Sequence, residues 1–453
     1  MKSRTLQNGS ALIVCMAVLV VCSALAVGLA AISGASIEIA DNQRGANQAF
    51  ASAESGLETI RYWLSRVTMP SSTPPAQYFS TAITAVRADL LANGITNMTV
   101  QNDGTVPSVT LDAATGRSFT GVLSCDPCTP NVLTATMRGT SGEMARTIQV
   151  EFSIEPYTFP IFDYGMATKG ALNFPQNPTL TGAAENWEAD IYVESLNNTV
   201  AIQVGGNSNF DGNIDIGNPL GTVDFQGDVQ IAGDSGQTAI DNHVNIGTEP
   251  VEFPIPLTAP FQSYANGGNV NPAVLTAPGS TLANQVIPAG MNPTFTGNVT
   301  IQGILFIEQP NVVTFGKNVA LQGLIVADGN AANPGANAIN FEGNFSSGPY
   351  PAGSQFDAIR QEQDSSIIAP GFDLSFTGNF ASVNGVMAAS SMYFSANASA
   401  VVKGTVISYS QDPTVVNGNI AMDFDRTAMV EIPAGFDLLR VLEYEPSSYA
   451  MIF

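Results

Sequence analysis

The chain has 453 residues, 42 of them glycine and 27 proline, with 15 basic against 38 acidic side chains and a formal net charge of −23. That length admits two or three domains. The charge argues against nucleic acid or an anionic lipid surface as a partner, since both need Lys and Arg to neutralise phosphate. Only 12% of residues are charged, and the abundance of Asn, Thr, Ser and Gly suits strands and turns rather than surface helices.

The chain opens on a basic, polar leader, Met1 to Gly9, followed by Ser10 and a charge-free run from Ala11 to Ile37; the first acid is Glu38. The run exceeds the roughly 20 apolar residues that a spanning helix needs. A secretory signal has a shorter apolar region and is cut after it. A cut between Gly9 and Ser10 instead leaves the apolar helix on the mature chain. Farther on, Ala46, Phe50, Ala53, Leu57, Ile60 and Leu64 form one apolar helical stripe, with Glu54, Glu58, Arg61 and Arg66 off it. A helix from residue 10 to 66 would be about 85 Å long, weakened at Gly28, Gly34, Gly45 and Gly56. Cys15 and Cys22 share one face of it, as small thiols packing in a membrane.

The leader ending in Gly9, the run Ser10-Ala11-Leu12-Ile13-Val14 and the segment Ala49 to Glu58 resemble PilX-type minor pilins and the pilin-like tip subunits of type II secretion. The resemblance covers about the first 65 residues. It implies cleavage after Gly9 by a prepilin peptidase, methylation of Ser10, and packing of the helix, through Val14, Phe50 and Leu57, against other pilin-like subunits in a filament core. Major pilins carry Glu at the fifth mature position, and here that position is Val14, which points to a minor or priming subunit.

Residues 67–156 read as a small α+β region. Thr68 to Ala76 is a break, and Phe79, Ile83, Val86 and Leu90 mark a short helix that Gly94 ends. Strand-like runs follow at 95–100, 118–123, 132–137 and 145–154, the last two joined across Gly139-Thr140-Ser141-Gly142. Cys125-Asp126-Pro127-Cys128 lacks the second Cys or His pair of a zinc site. In an oxidising compartment it reads as a small structural disulfide, with free thiols the alternative.

From 157 to about 430 a pattern recurs: Phe, any residue, Gly, Asn or Asp, then an apolar residue. It starts at Phe210, Phe225, Phe295, Phe341 and Phe376, with looser copies at Phe315 and Phe394. Three neighbouring pairs, 210 and 225, 295 and 315, and 376 and 394, lie 15 to 20 residues apart, which fits one coil of a parallel β-solenoid. In that reading the Phe residues fill a narrow core, while Gly and Asn supply corners of positive φ. The missing hexapeptide rhythm favours the right-handed kind, and a β-sandwich is the competing fold. Pro-rich stretches at 249–278 and 328–370 read as loops thrown out from the stack, and 431–453 as a C-terminal cap.

Catalytic chemistry finds little support. His243 reads as a solvated loop residue, and Gly233-Asp234-Ser235-Gly236 as a repeat turn rather than a nucleophile string. Asp423 and Asp425 share one side of a strand, as glycosidase carboxylates do, but Met422 and Phe424 around them read as core. Cations for a polyuronate substrate are scarce, limited to Lys169, Lys317, Arg360, Lys403, Arg426 and Arg440. Asp211, Asp215, Asp224 and Asp228 lack any Ca²⁺-loop signature, so neither metal nor cofactor is expected. The sequence is thus read as a long N-terminal helix, a small α+β region and an all-β parallel solenoid. Functionally it reads as a structural pilin-like subunit, held in the inner membrane before assembly and in an extracytoplasmic filament after it. No motif names a surface ligand. The alternative is a membrane-anchored β-helix enzyme acting on carbohydrate.

Overall fold

The computed structural model describes residues 8–452 apart from 71–72, 127–128, 130, 332–333, 396–398, 428–431 and 437–438. It divides into a head, residues 1–157 with 438–453, and a body, residues 158–437.

The head is organised by one helix, α1 (Asn8–Leu64), which runs unbroken through Gly28, Gly34, Gly45 and Gly56. Its apolar stripe does what the spacing predicts: Ala53, Leu57, Ile60 and Leu64 are buried. They pack on an antiparallel sheet of β1 (Thr68–Pro70), β2 (Thr105–Asp112), β3 (Arg117–Cys125), β4 (Val132–Ser141), β5 (Met144–Tyr157) and the C-terminal strand Leu439–Ile452. Phe119, Met137, Ile148 and Phe152 supply the sheet's side of the core, each full burial contributing about 1.5–3 kcal/mol. A second helix, α2 (Tyr78–Ala92), buries Ile83, Val86 and Leu90 against the same core. Gly94 ends it with φ +68, and the amide of Ile95 donates to Leu90 O at 2.9 Å.

Several expectations for the head change. Residues 95–100 form no strand; Met98 and Val100 are buried anchors of a loop, so their alternation reports burial rather than pairing. The hairpin turn sits at Gly142-Glu143, since Ser141 pairs with Met144. Gly139 lies within β4, where a Cβ would overlap the backbone of Ala49, Ser52 and Ala53 in α1. The expected cap over 431–453 is instead, from Leu439, a strand of the head sheet, because Leu439–Glu445 pairs antiparallel with Glu151–Tyr157 of β5. The whole body is therefore spliced between two neighbouring strands. The Cys125–Cys128 disulfide involves Cys128, which lies outside the described residues.

The body is built from short parallel strands. One sheet runs, in spatial order, through Thr222–Phe225, Val200–Val204, Leu172–Phe174, Thr414–Val416, Met392–Phe394, Asp373–Phe376, Ala338–Phe341, Val312–Phe315 and Thr294–Phe295. A second, 18-stranded sheet follows the same order of rows. The chain enters mid-stack. From 166–182 it builds outward to Val244–Ile246, then resumes at the other end with Gly279–Ile287. From there it returns row by row until 406–424 pairs with 166–182. Every pairing in these sheets is parallel except Val229–Ile231 with Asp234–Ser235.

The repeated phenylalanines occupy equivalent positions in successive rows. Phe295, Phe315, Phe341, Phe376 and Phe394 stack at centroid separations of 5.0, 5.3, 4.8 and 5.2 Å with rings within 10° of parallel. Phe345 and Phe380 form a second row that meets the first edge-on. The motif glycines have a different role from the one expected. Gly343 and Gly378 do not sit at positive φ; a Cβ on either would overlap the backbone of the preceding row. The Asn and Asp side chains tie rows together: Asn318 Oδ1 accepts from the Asn344 amide at 3.1 Å and Asp190 Oδ1 from the Asn213 amide at 2.7 Å.

The Pro-rich stretches are not thrown out. In Ile304-Leu305-Phe306-Ile307, Leu305 and Ile307 face the main core, while Ile304 and Phe306 face the other way. A strand apolar on both faces needs cover on both. Phe261, Ala265, Phe356 and Ile359, from those two stretches, supply it in a second core with Leu324, Val326 and Ile368.

Candidate functional site

Two regions bear on function: the exposed part of α1, and the polar side chains of the body. In α1, Leu12, Val14, Leu25, Ile32 and Ile39 are 60–66% exposed, and the segment contributes no side chain to the head core. Among the described residues one helix is long and apolar enough to cross a membrane, and this is it. Within this segment Ser23 Oγ donates to Leu19 O of the same helix at 2.7 Å. Gly9 and Ser10 lie in its first turns. Of the three expected filament contacts, only Val14 presents an open face. Leu57 is 3% exposed and packs into the head's own core, with Phe50 partly buried against it, because the stripe that spacing revealed is satisfied within the chain.

Phe210, Phe295, Phe341 and Phe376 are at most 2% exposed in the body core. Phe225 is only half-buried, in a strand at one end of the sheet.

The candidate catalytic groups do not converge. Asp423 accepts from Thr181 Oγ1 at 3.0 Å. Asp425 accepts from Thr427 Oγ1 at 2.9 Å and lies 3.9 Å from Lys403 Nζ. His243 ends a short helix, α3 (Gly236–His243), rather than standing in a loop. Its ring nitrogens lie 3.0 Å from Asn213 Oδ1 and 3.2 Å from Asp234 Oδ2. The Asn242 amide and His243 hold the Asp234 carboxyl below the usual range. Asp224 accepts from the Gln203 and Gln226 amides, and Asp215 from Tyr164 Oη and the Asn245 amide. Among the described residues no group of three or more His, Cys, Asp or Glu side chains could hold a metal ion.

The most strained electrostatics involve Glu188 and Asp190, which the sequence did not single out, and Arg426, which it marked only as a scarce cation. Glu188 is fully buried, yet burial, which would raise its pKa, is outweighed by amides of Ala184, Glu185 and Arg426 at 2.7–3.0 Å. Its carboxyl is held below the usual range. Arg426, 6% exposed, donates to the carbonyls of Phe162, Trp187 and Glu188 at 2.6–3.0 Å and lies over the Trp187 ring. Nearby, burial and the charge of Asp215 push Asp190 up to about 6, against the pull of the Asn213 amide. This constellation clamps the first row of the body to the last. Its sequence signal is faint, because its members are more than 230 positions apart.

No family model matches the chain, and no curated protein matches it. Among solved structures it is similar to the competence-associated pilin ComZ from Thermus thermophilus, at 14% identity over 90% of this chain and 98% of that one, with a TM-score of 0.26.

Proposed function

We propose that this chain is a structural, non-enzymatic pilin-like subunit. It is held in the inner membrane by α1 before assembly, and afterwards carried in an extracytoplasmic filament of a type IV pilus or type II secretion-like system. The observation that carries the reading is α1 itself. One 57-residue helix is apolar and uncovered along its first half and is the spine of an antiparallel head along its second. The resemblance of the leader and of Ser10 to Val14 to PilX-type minor pilins points the same way. The two parallel sheets of the body, with their in-register Phe rows, are the faces of a β-solenoid displayed for priming or adhesion. Val14 offers no carboxylate to a neighbour's N-terminal amine, which favours a place at the filament tip.

The deciding experiment is mass spectrometry of the native N-terminus. A mature chain starting at Ser10, N-methylated, is expected, and Gly9→Val should leave it uncut. An intact Met1, or a start beyond residue 30, would overturn the reading. Immunogold labelling along the whole shaft would remove the tip assignment alone.

A further inference from the structure

The chain's negative charge is unevenly placed. The body has 25 acidic and five basic residues, whereas the head has 13 and ten, or 13 and eight without Lys2 and Arg4 of the leader. The exclusion of anionic partners that net charge implies therefore bears mainly on the body, and in the head the placement of the basic residues matters more than their count.

Within the head, three arginines gather where α1 leaves its apolar segment. The exposed apolar side chains end at Ile39, and Arg44 follows five residues later, about 7.5 Å along the axis. That is the depth of the headgroup layer outside a roughly 30 Å hydrocarbon core. Helical Cα–Cβ bonds tilt toward the N-terminus, so the Arg44 side chain leaves the helix toward the apolar segment. Arg117 on β3 and Arg146 on β5 flank the same helix on either side of β4. The Nε of Arg117 donates to Ser52 Oγ of α1 at 3.4 Å, and Arg146 is in register with Gly139, whose backbone abuts α1.

Two open grooves result. One, of 510 Å³, is lined by Gln43, Arg44, Gln48 and Arg117 among others; the second, of 560 Å³, by Phe50, Met144, Arg146 and Met451. Both volumes lie within the range of small-ligand sites. Neither Glu38 nor Asp41, the acids of this stretch, lines either groove. Among the described residues Arg44, Arg117 and Arg146 make no ion pair, whereas Arg61 is paired with Glu58 and Arg66 with Asp89. Arg117 is in register with Asp112, whose carboxyl it helps the Thr115 hydroxyl to lower, and Arg146 donates to Ala145 O at 3.0 Å. Three guanidiniums outside any ion pair around a membrane-exit helix, beside polar amides on one side and apolar side chains on the other, match a phosphate joined to a glyceride.

We propose that this collar binds the headgroups of anionic phospholipids and so sets the height of the head above the bilayer before assembly. The inference rests on the membrane reading of α1 under Proposed function.

The test uses the full-length chain in vesicles of equal phosphatidylcholine and phosphatidylglycerol, extracted gently and analysed for retained lipid by native mass spectrometry. Phosphatidylglycerol should be retained several-fold over phosphatidylcholine, and less so at high salt. Arg44→Gln, Arg117→Gln and Arg146→Gln should each lower that ratio by up to about fivefold, as expected for one arginine near a charged surface. Arg61→Gln, about 25 Å farther along the helix, should leave it unchanged. Arg44 is exposed, so its variant tests the collar without risk to the fold. Retention at the input ratio, or a triple variant that keeps the wild-type ratio, overturns the collar while the chain stays resistant to carbonate extraction. Unchanged lipid with loss of a companion pilin-like subunit from the triple variant would assign the arginines to a protein partner and also overturn it. A chain that carbonate removes refutes the membrane reading first, and the collar with it.

Discussion

Single side chains in the body carry measurable energy. Phe376 is sandwiched between Phe341 and Phe394, and Phe295 abuts Phe315 at the end of the row. Truncating a buried Phe to Ala costs about 3–5 kcal/mol. Phe295→Ala and Phe376→Ala should therefore lower the denaturation midpoint of the body, with Phe376→Ala, flanked on both sides, costing more. Two near-neutral results would refute the packed row. The carboxylates set a pH dependence of the opposite sign at two positions. The fold raises Asp190 from 3.8 to about 6, so its contribution is fully present below pH 3.8 and is lost as pH rises through 6. Glu188 is lowered, so its contribution is present above 4.5 and is lost as pH falls through its folded value. Melting temperature in detergent should rise from pH 7 to pH 5 and fall under stronger acid. Asp190→Asn, which still accepts from the Asn213 amide, should abolish the first limb; a variant that keeps it would contradict the assignment.

At the scale of elements, the helix–sheet contact in the head depends on close backbone approach. Gly139 lets β4 lie against Ala49 and Ser52 of α1. Overpacking a tight interior costs about 1–3 kcal/mol, and here the obstructing atoms are backbone, which cannot swing aside. Gly139→Ala should loosen α1 from the sheet, read as faster hydrogen exchange at Ala49 to Leu57 with the body's amides unchanged. Equal protection in both proteins would show that the strand can shift to admit a methyl group.

At the scale of the whole molecule, Tyr157 and Leu439 are paired neighbours, although the body stands between them in sequence. Head strands that already sit side by side need only a short turn to connect them. Replacing residues 158–438 with Asn-Gly should therefore leave a membrane-integrated head with its own cooperative melting transition. A head that aggregates or melts without cooperativity would mean that the body is required for it to fold.

The sequence alone determined whatever depends on local periodicity. The charge-free run, the helical stripe from Ala46 to Leu64 and the Phe repeat each bury or expose side chains at spacings set by backbone geometry, so they are readable without neighbours. The structure accordingly has one long helix and a parallel body with Phe295, Phe341 and Phe376 inside. Tertiary structure decided what depends on contacts between distant residues. The splice of the body between β5 and the C-terminal strand, the fold-back of the Pro-rich stretches onto Ile304 and Phe306, and the Glu188–Arg426 clamp join segments tens to hundreds of positions apart. The motif glycines had the same limit: Gly343 looks like a corner residue in sequence, and only the neighbouring row at Lys317 and Asn318 shows that it is there for lack of space. A pattern encodes which way a side chain faces; what it meets there is supplied by another part of the chain.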